Sequence, residues 1–118
     1  MLDINKAIAD MQHDPEGHMF GLEPWSPLIA QHKAAAEGVF LDDEHWEIII
    51  YLRERYRKHG AARNAREILK ELEQKFGEGH GRRGLYELFP GGPVSQGSRL
   101  AGLPLPPHSS DPSFGSVE

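Results

Sequence analysis

Between Asp42 and Gly77 apolar residues recur at helical spacing in two successive runs. In the first, Trp46, Ile49 and Ile50, with Ile48, Leu52 and Tyr56, cover a broad stripe, while Arg53, Arg55, Arg57, Lys58 and His59 crowd the C-terminal half. Asp42 is placed to cap this helix, Asp43 and Glu44 fall in its first turn where the macrodipole favours anions, and Gly60 is a natural C-cap. In the second run Ala65, Ile68, Leu69, Leu72 and Phe76 share one face, and Asn64 followed by Glu67 reads as a capping box. Three shorter helices are expected around this pair. One begins near Pro24-Trp25 and runs through Leu28, Ile29 and the alanines to Glu37, stopped by Gly38. Another spans Arg83 to Phe89 and is closed by Pro90-Gly91-Gly92, and Pro93 opens the last, through Val94, Gln96, Ser98 and Leu100 to Ala101.

The ends of the chain read differently. Ala9-Asp10-Met11-Gln12 and His18-Met19-Phe20 flank a Pro15-Glu16-Gly17 turn and predict a small β-hairpin, with Gly17 free to take positive φ. Beyond Gly102 the prolines at 104, 106, 107 and 112 forbid a continuous helix and favour an extended segment. The expectation is a mainly α fold: a small orthogonal bundle of about five helices with a short N-terminal hairpin and an irregular C-terminal arm. Residues 1–102 form one domain in this reading, and 103–118 the arm and tail.

Composition removes whole classes of chemistry. The 118 residues include no cysteine, so disulfide frameworks, thiolate metal sites, iron–sulfur clusters and thiol nucleophiles are excluded. No apolar run approaches the length needed to span a bilayer, and the first residues lack a basic region followed by an apolar stretch, so a cytoplasmic protein without membrane contact is expected. Net charge is −5, but its distribution matters more. Met1 to Ile50 carries ten acidic and two basic residues, whereas Tyr51 to Phe76 carries eight basic and four acidic. The middle is locally basic, a pattern that serves either as a solvated helix face or as a docking face for an acidic partner or nucleic acid.

The candidate chemistry is sparse. Seven histidines offer no compact helical ligand pair, so neither a metal nor another cofactor is expected. Gly79 and Gly81 lack the pattern of a phosphate loop, and Ser98 lacks the surroundings of a nucleophile elbow. Arg82 and Arg83, with Arg99 downstream, are more informative because guanidinium groups recognise carboxylates and other anions in planar, bidentate fashion. They point to an anion or carboxylate pocket closed by the C-terminal segment, the alternative being exposed solvated arginines.

Several of these stretches together resemble a known family. His45-Trp46-Glu47-Ile48-Ile49-Ile50-Tyr51-Leu52-Arg53, Leu85-Tyr86-Glu87-Leu88-Phe89-Pro90-Gly91-Gly92-Pro93, Gln96 and Ala101-Gly102-Leu103-Pro104-Leu105-Pro106 occur in the order seen in the DsrC/TusE/DsvC family. Leu22, Trp25-Ser26 and the Pro15-Glu16-Gly17 turn are similar to its N-terminal region, so the resemblance runs from about Ala9 to Ser109. It implies a small cytoplasmic helical protein with an N-terminal hairpin and a mobile arm. It also implies sulfur-carrier work, either in the relay that thiolates the tRNA wobble uridine or as the gamma-subunit partner of dissimilatory sulfite reductase. The departure falls on the chemistry, because the two positions that the resemblance assigns to cysteines are here Ser98 and Ser109. A serine hydroxyl holds no persulfide and closes no disulfide.

The expected function is therefore that of a non-catalytic regulatory or docking protein of sulfur metabolism, not an enzyme, with sulfur-relay or sulfite-reductase-type proteins as partners. Its binding residues are Arg82, Arg83, Arg99, Gly102, Leu103, Pro104 and Pro106. Two alternatives stay open. One is a helix-turn-helix-like DNA-binding regulator built on the two central helices, against which the acidic total and Glu67, Glu71 and Glu73 weigh. The other is a Cys-to-Ser form of an active sulfur carrier.

Overall fold

The computed structural model describes residues 17–19, 21–76 and 81–106. Five helices follow one another: α1 (Pro27–Ala36), α2 (Asp43–His59), α3 (Ala65–Phe76), α4 (Gly81–Leu88) and α5 (Ser95–Leu100). The mainly helical expectation holds among the described residues. Of the expected hairpin, residues 9–12 and 20 lie outside them, while His18 and Met19 sit in a turn after Gly17, which takes φ 74°.

The caps explain where the helices begin. At α2, Asp42 Oδ1 accepts the His45 backbone N–H at 3.2 Å, and the Asp42 N–H points back to His45 Nδ1 at 3.2 Å. His45 is thus the reciprocal partner of a capping box usually completed by Glu or Gln. At α3, Asn64 Oδ1 accepts the Glu67 N–H as expected, at 3.0 Å, but Glu67 Oε1 reaches past Asn64 to the Arg63 N–H at 3.2 Å. The expected start of α1 is corrected by the structure. Ser26 is the N-cap and accepts the Ile29 N–H, and the proline at the first helical position is Pro27. Pro24 and Trp25 stay outside the helix, because a side-chain cap followed by proline is a stronger start than proline alone.

The core collects Ala30 and Ala34 of α1, Trp46, Ile48, Ile49 and Leu52 of α2, Ile68 and Leu72 of α3, Leu85 of α4, and Phe89, Val94, Leu100 and Ala101 around α5. Trp46 is 5 % exposed, in keeping with its stripe position. Each large side chain so buried contributes about 1.5–3 kcal/mol relative to leaving it in water. α5 packs against both α1 and α2, and α3 packs against α4. The short α5 is consequently the element on which the chain after Leu100 is mounted.

A polar clamp joins α2 to α3. Arg55 grips Glu71 with two bonds, Nε to Oε1 at 2.7 Å and Nη2 to Oε2 at 3.1 Å, while the Tyr51 hydroxyl donates to the same carboxylate at 2.6 Å. Burial and that carboxylate push the Tyr51 hydroxyl up to about 12. His45 ties α2 to the end of α4: its Nε2–H donates to Leu88 O at 2.7 Å and its ring meets Phe89 edge-on, centroids 5.0 Å apart.

Candidate functional site

The end of α5 is built as a Schellman turn. Ala101 is the C-cap, Gly102 follows with φ 71°, its N–H donates to Arg99 O at 3.1 Å, and the Leu103 N–H donates to Ser98 O at 2.9 Å. The Ala101-Gly102-Leu103-Pro104 stretch thus has a physical role at each position. Alanine fits a fully buried cap, glycine takes the left-handed conformation, leucine returns to the core, and proline prevents the helix from resuming.

Gly102 is required for a second reason. A Cβ there would lie 2.7 Å from Trp25 Cδ1, so the indole packs directly on the bare backbone. The Trp25 Nε1–H donates to Leu100 O at 2.8 Å, and the Arg53 guanidinium stacks over the ring, 4.3 Å from its centroid, while donating through Nη1 to Ala101 O at 2.6 Å. Burial pulls the Arg53 pKa down to about 10, so it stays cationic at neutral pH. Trp25 and Arg53 together fix the direction in which the arm leaves the bundle. Sequence reasoning missed both roles; the signal for Trp25 was the Ser26-Pro27 helix start that leaves it outside α1.

The turn before α5 is held by Gln96, which is 3 % exposed. Its Oε1 accepts the Gly91 N–H at 2.9 Å and its Nε2 donates to Glu37 Oε1 at 2.6 Å, where Arg99 Nη2 also donates at 3.1 Å. A Cβ on Gly91 would press on the Gln96 side chain at 3.2 Å. Burial raises the Glu37 carboxyl, but the hydrogen bonds from Gln96 and Arg99 and the charges of Arg99 and Lys33 outweigh it and hold the group below its ordinary value.

The arm runs between two depressions. Arg99, Gly102, Leu103 and Pro104 border a cleft of about 610 Å³, with Lys33 and Glu37 on its rim. Behind it, Leu103 to Pro106 wall an apolar pocket of about 50 Å³ whose lining includes Ser98, Leu52, Ala61 and Ala62. Ser98, 2 % exposed, is therefore buried under the arm, and Pro106 is buried as well. Four of the expected binding residues, Arg99, Gly102, Leu103 and Pro104, come together at the cleft. Arg82 and Arg83 do not line either depression: Arg82 pairs with Glu73 and Arg83 with Glu87, both on the exposed surface of α4. Ser109 lies outside the described residues. Among those described, no three His, Asp or Glu side chains converge as a metal site, and no helix is long and apolar enough to cross a membrane.

This arrangement sets a buried hydroxyl beneath the apolar arm, beside a cleft whose two cations, Lys33 and Arg99, are paired with Glu23 and Glu37. It offers shape and hydrogen bonds but no thiolate. The family model described as "DsrC like protein" matches residues 6–109. The chain belongs to the DsrC-like family. Its curated relatives include the protein named sulfurtransferase TusE of Salmonella paratyphi A, 40% identical over 98 residues that cover 82% of this chain and 90% of that one. The sulfurtransferase TusE of Yersinia pestis is 36% identical over 107 residues, 90% of this chain and 96% of that one. Among solved structures, DsrC of Allochromatium vinosum superposes with a TM-score of 0.65 at 38% identity, covering 80% of this chain and 86% of that one. The oxidized gamma-subunit of the dissimilatory sulfite reductase, DsrC, of Archaeoglobus fulgidus does so with a TM-score of 0.60 at 30% identity, covering 83% and 90%. The DsrC-like fold is therefore kept in a chain without cysteine.

Proposed function

We propose that this chain is a docking member of the DsrC-like family, one that binds proteins of the sulfur relay or of the sulfite-reductase type without carrying sulfur itself. The observation that carries the reading is the absence of cysteine from all 118 residues: the two positions that the resemblance assigns to cysteines hold Ser109, at the carrier position, and Ser98, which lies buried beneath Leu103–Pro106. With oxygen in place of sulfur at both positions no persulfide can form on the chain, while the motif residues around Ser98 keep their packing. The protein is a non-enzyme in this reading and works in the cytoplasm as a regulator or competitor of cysteine-bearing relatives.

The docking face is the arm from Gly102 through Leu103 and Pro104 to Pro106, together with Arg99 beside it; Arg82 and Arg83 on α4, which line neither depression, make a separate contact with the same partner. The fixed root supports this assignment. Preorganising a short extended segment reduces the ordering entropy that binding must overcome. Two experiments test it. Incubation with a persulfide donor is expected to leave the intact mass unchanged; a stable gain of one sulfur atom contradicts the reading. Truncation after Pro104 is expected to weaken binding to the sulfur-donor protein of a TusE-type relay by at least about tenfold. The truncated bundle should keep its helical circular dichroism, and unchanged affinity would remove the arm from the interface.

A further inference from the structure

The basic stretch Tyr51–Phe76 is divided by the fold into charges used inside the molecule and charges turned outward. Arg53 is spent on Trp25 and Ala101, Arg55 on Glu71, and Arg57 on Glu54. Lys75 lies over the Tyr51 ring, 5.6 Å from its centroid, and what is left, Lys58, His59, Arg63, Arg66 and Lys70, is exposed around the end of α2 and the first half of α3, Arg63 to 89%. Among the described residues Lys58, Arg66 and Lys70 form no ion pair, and Arg63 reaches only Glu67, at 3.9 Å. Arg66 and Lys70 share one face of α3 by i,i+4 spacing, with Arg63 just ahead of the helix.

Local stability accounts for only part of this cluster. Lys58 and His59 sit at the C-terminus of α2, where the macrodipole favours cations. Arg66 stands in the first turn of α3 and Arg63 just ahead of its cap Asn64, at the end of a helix where positive charge is unfavourable. Directly beside the corner, Gly60, Ala61 and Ala62 form one wall of the apolar pocket of about 50 Å³, with the arm as the other wall. Leu105 leaves that wall half-exposed, at 46%.

We infer that the α2–α3 corner is a docking site for an acidic protein segment, whose carboxylates meet Lys58, Arg63 and Arg66 while one small aliphatic side chain enters the pocket between Ala61 and the arm. Charge complementarity selects the sign of the partner. Pocket size selects its class: a cavity of about 150 Å³ is needed to take a ring the size of benzene, so this one admits a methyl or isopropyl group and not a nucleobase. The inference stands apart from the sulfur-relay reading, because neither a thiol nor a relay protein enters its test.

The test uses the full 118-residue chain, isotope-labelled for amide NMR, and three probes: a short Asp/Glu-rich peptide with one central valine, the same peptide with serine in its place, and a mixed-sequence DNA duplex. The valine peptide is expected to produce saturable amide shifts confined to Lys58–Lys70 and to Leu103 and Leu105 of the arm, and to bind about tenfold more tightly than the serine peptide. Arg63→Glu with Arg66→Glu should abolish the shifts. Both substitutions put anions at the start of α3, where the dipole favours them, so the variant keeps its fold and its loss of binding is not a loss of structure. Ala61→Leu, at an exposed position on the pocket rim, should erase the preference for valine and leave the salt dependence intact. Shifts elsewhere, equal affinity for the two peptides, or tighter binding of the duplex at physiological salt would overturn the assignment.

Discussion

Arg53 and Arg66 come from one basic stretch and end in opposite circumstances. Arg53 is stacked on Trp25 and bonded to the carbonyl that precedes Gly102, so its charge serves to anchor the arm. Arg66, in the first turn of α3, is exposed and forms no ion pair among the described residues. The comparison separates two uses of positive charge that composition cannot distinguish. Where a guanidinium finds a ring face and a carbonyl, it becomes part of the architecture. Where a helix start displays it against the dipole with no carboxylate in reach, its worth lies in what it meets outside.

Substitutions at the two regions should therefore differ in kind. The largest effect is expected from Gly102→Val, which combines a φ of 71° with a Cβ directed at Trp25, and should destabilise by about 3 kcal/mol or more. A chemical-denaturation midpoint close to that of the parent would show that the arm root is not rigidly packed. Arg53→Met removes the hydrogen bond to Ala101 O and the stacked cation while keeping much of the aliphatic stem, for a loss of about 1–2 kcal/mol.

Glu71→Gln tests the clamp between the same two helices, through its pH dependence. Burial raises the Glu71 carboxyl, but the hydrogen bonds from Arg55 and Tyr51 outweigh it and hold the group below its ordinary 4.5. A carboxyl with a depressed folded-state pKa contributes stability that is fully present above its unfolded value and is lost as pH falls through the folded one. The variant should be weaker than the parent by about 1–2 kcal/mol at neutral pH, and the gap should close on acidification below that ordinary value. A gap constant down to strongly acid pH would contradict the clamp. The smallest effect belongs to Arg66→Ala, expected within about 0.5 kcal/mol of the parent by thermal or chemical denaturation. A large loss there would make Arg66 structural and weaken the contrast with Arg53.

Legibility in the sequence followed the range of the interactions. α2 and α3 were readable because their stripes, caps and stops are all local: Asp42, Gly60 and Asn64 each act within a few residues. The arm root was readable in part, since Ala101-Gly102-Leu103-Pro104 carries its own turn chemistry. What gives that turn its direction is Trp25, 75 residues earlier, and no local pattern announces the pairing. Placing Trp25 inside the first helix followed from weighing Pro24 over the stronger Ser26-Pro27 start. The arginines were legible as charges but not as partners. Arg99 joins Glu37 and Gln96 in the cleft, whereas Arg82 and Arg83 find carboxylates on and near α4, a difference set by packing alone.

The central claim is docking without sulfur carriage, and competition tests it most directly. In a relay reconstituted from a persulfide donor protein and a cysteine-bearing TusE relative, this chain is expected to lower the rate of sulfur transfer saturably, with no sulfur recovered on the chain itself. Truncation after Pro104 should relieve the inhibition. Unchanged transfer at saturating concentrations of the intact chain, or labelled sulfur stably bound to it, would contradict the account.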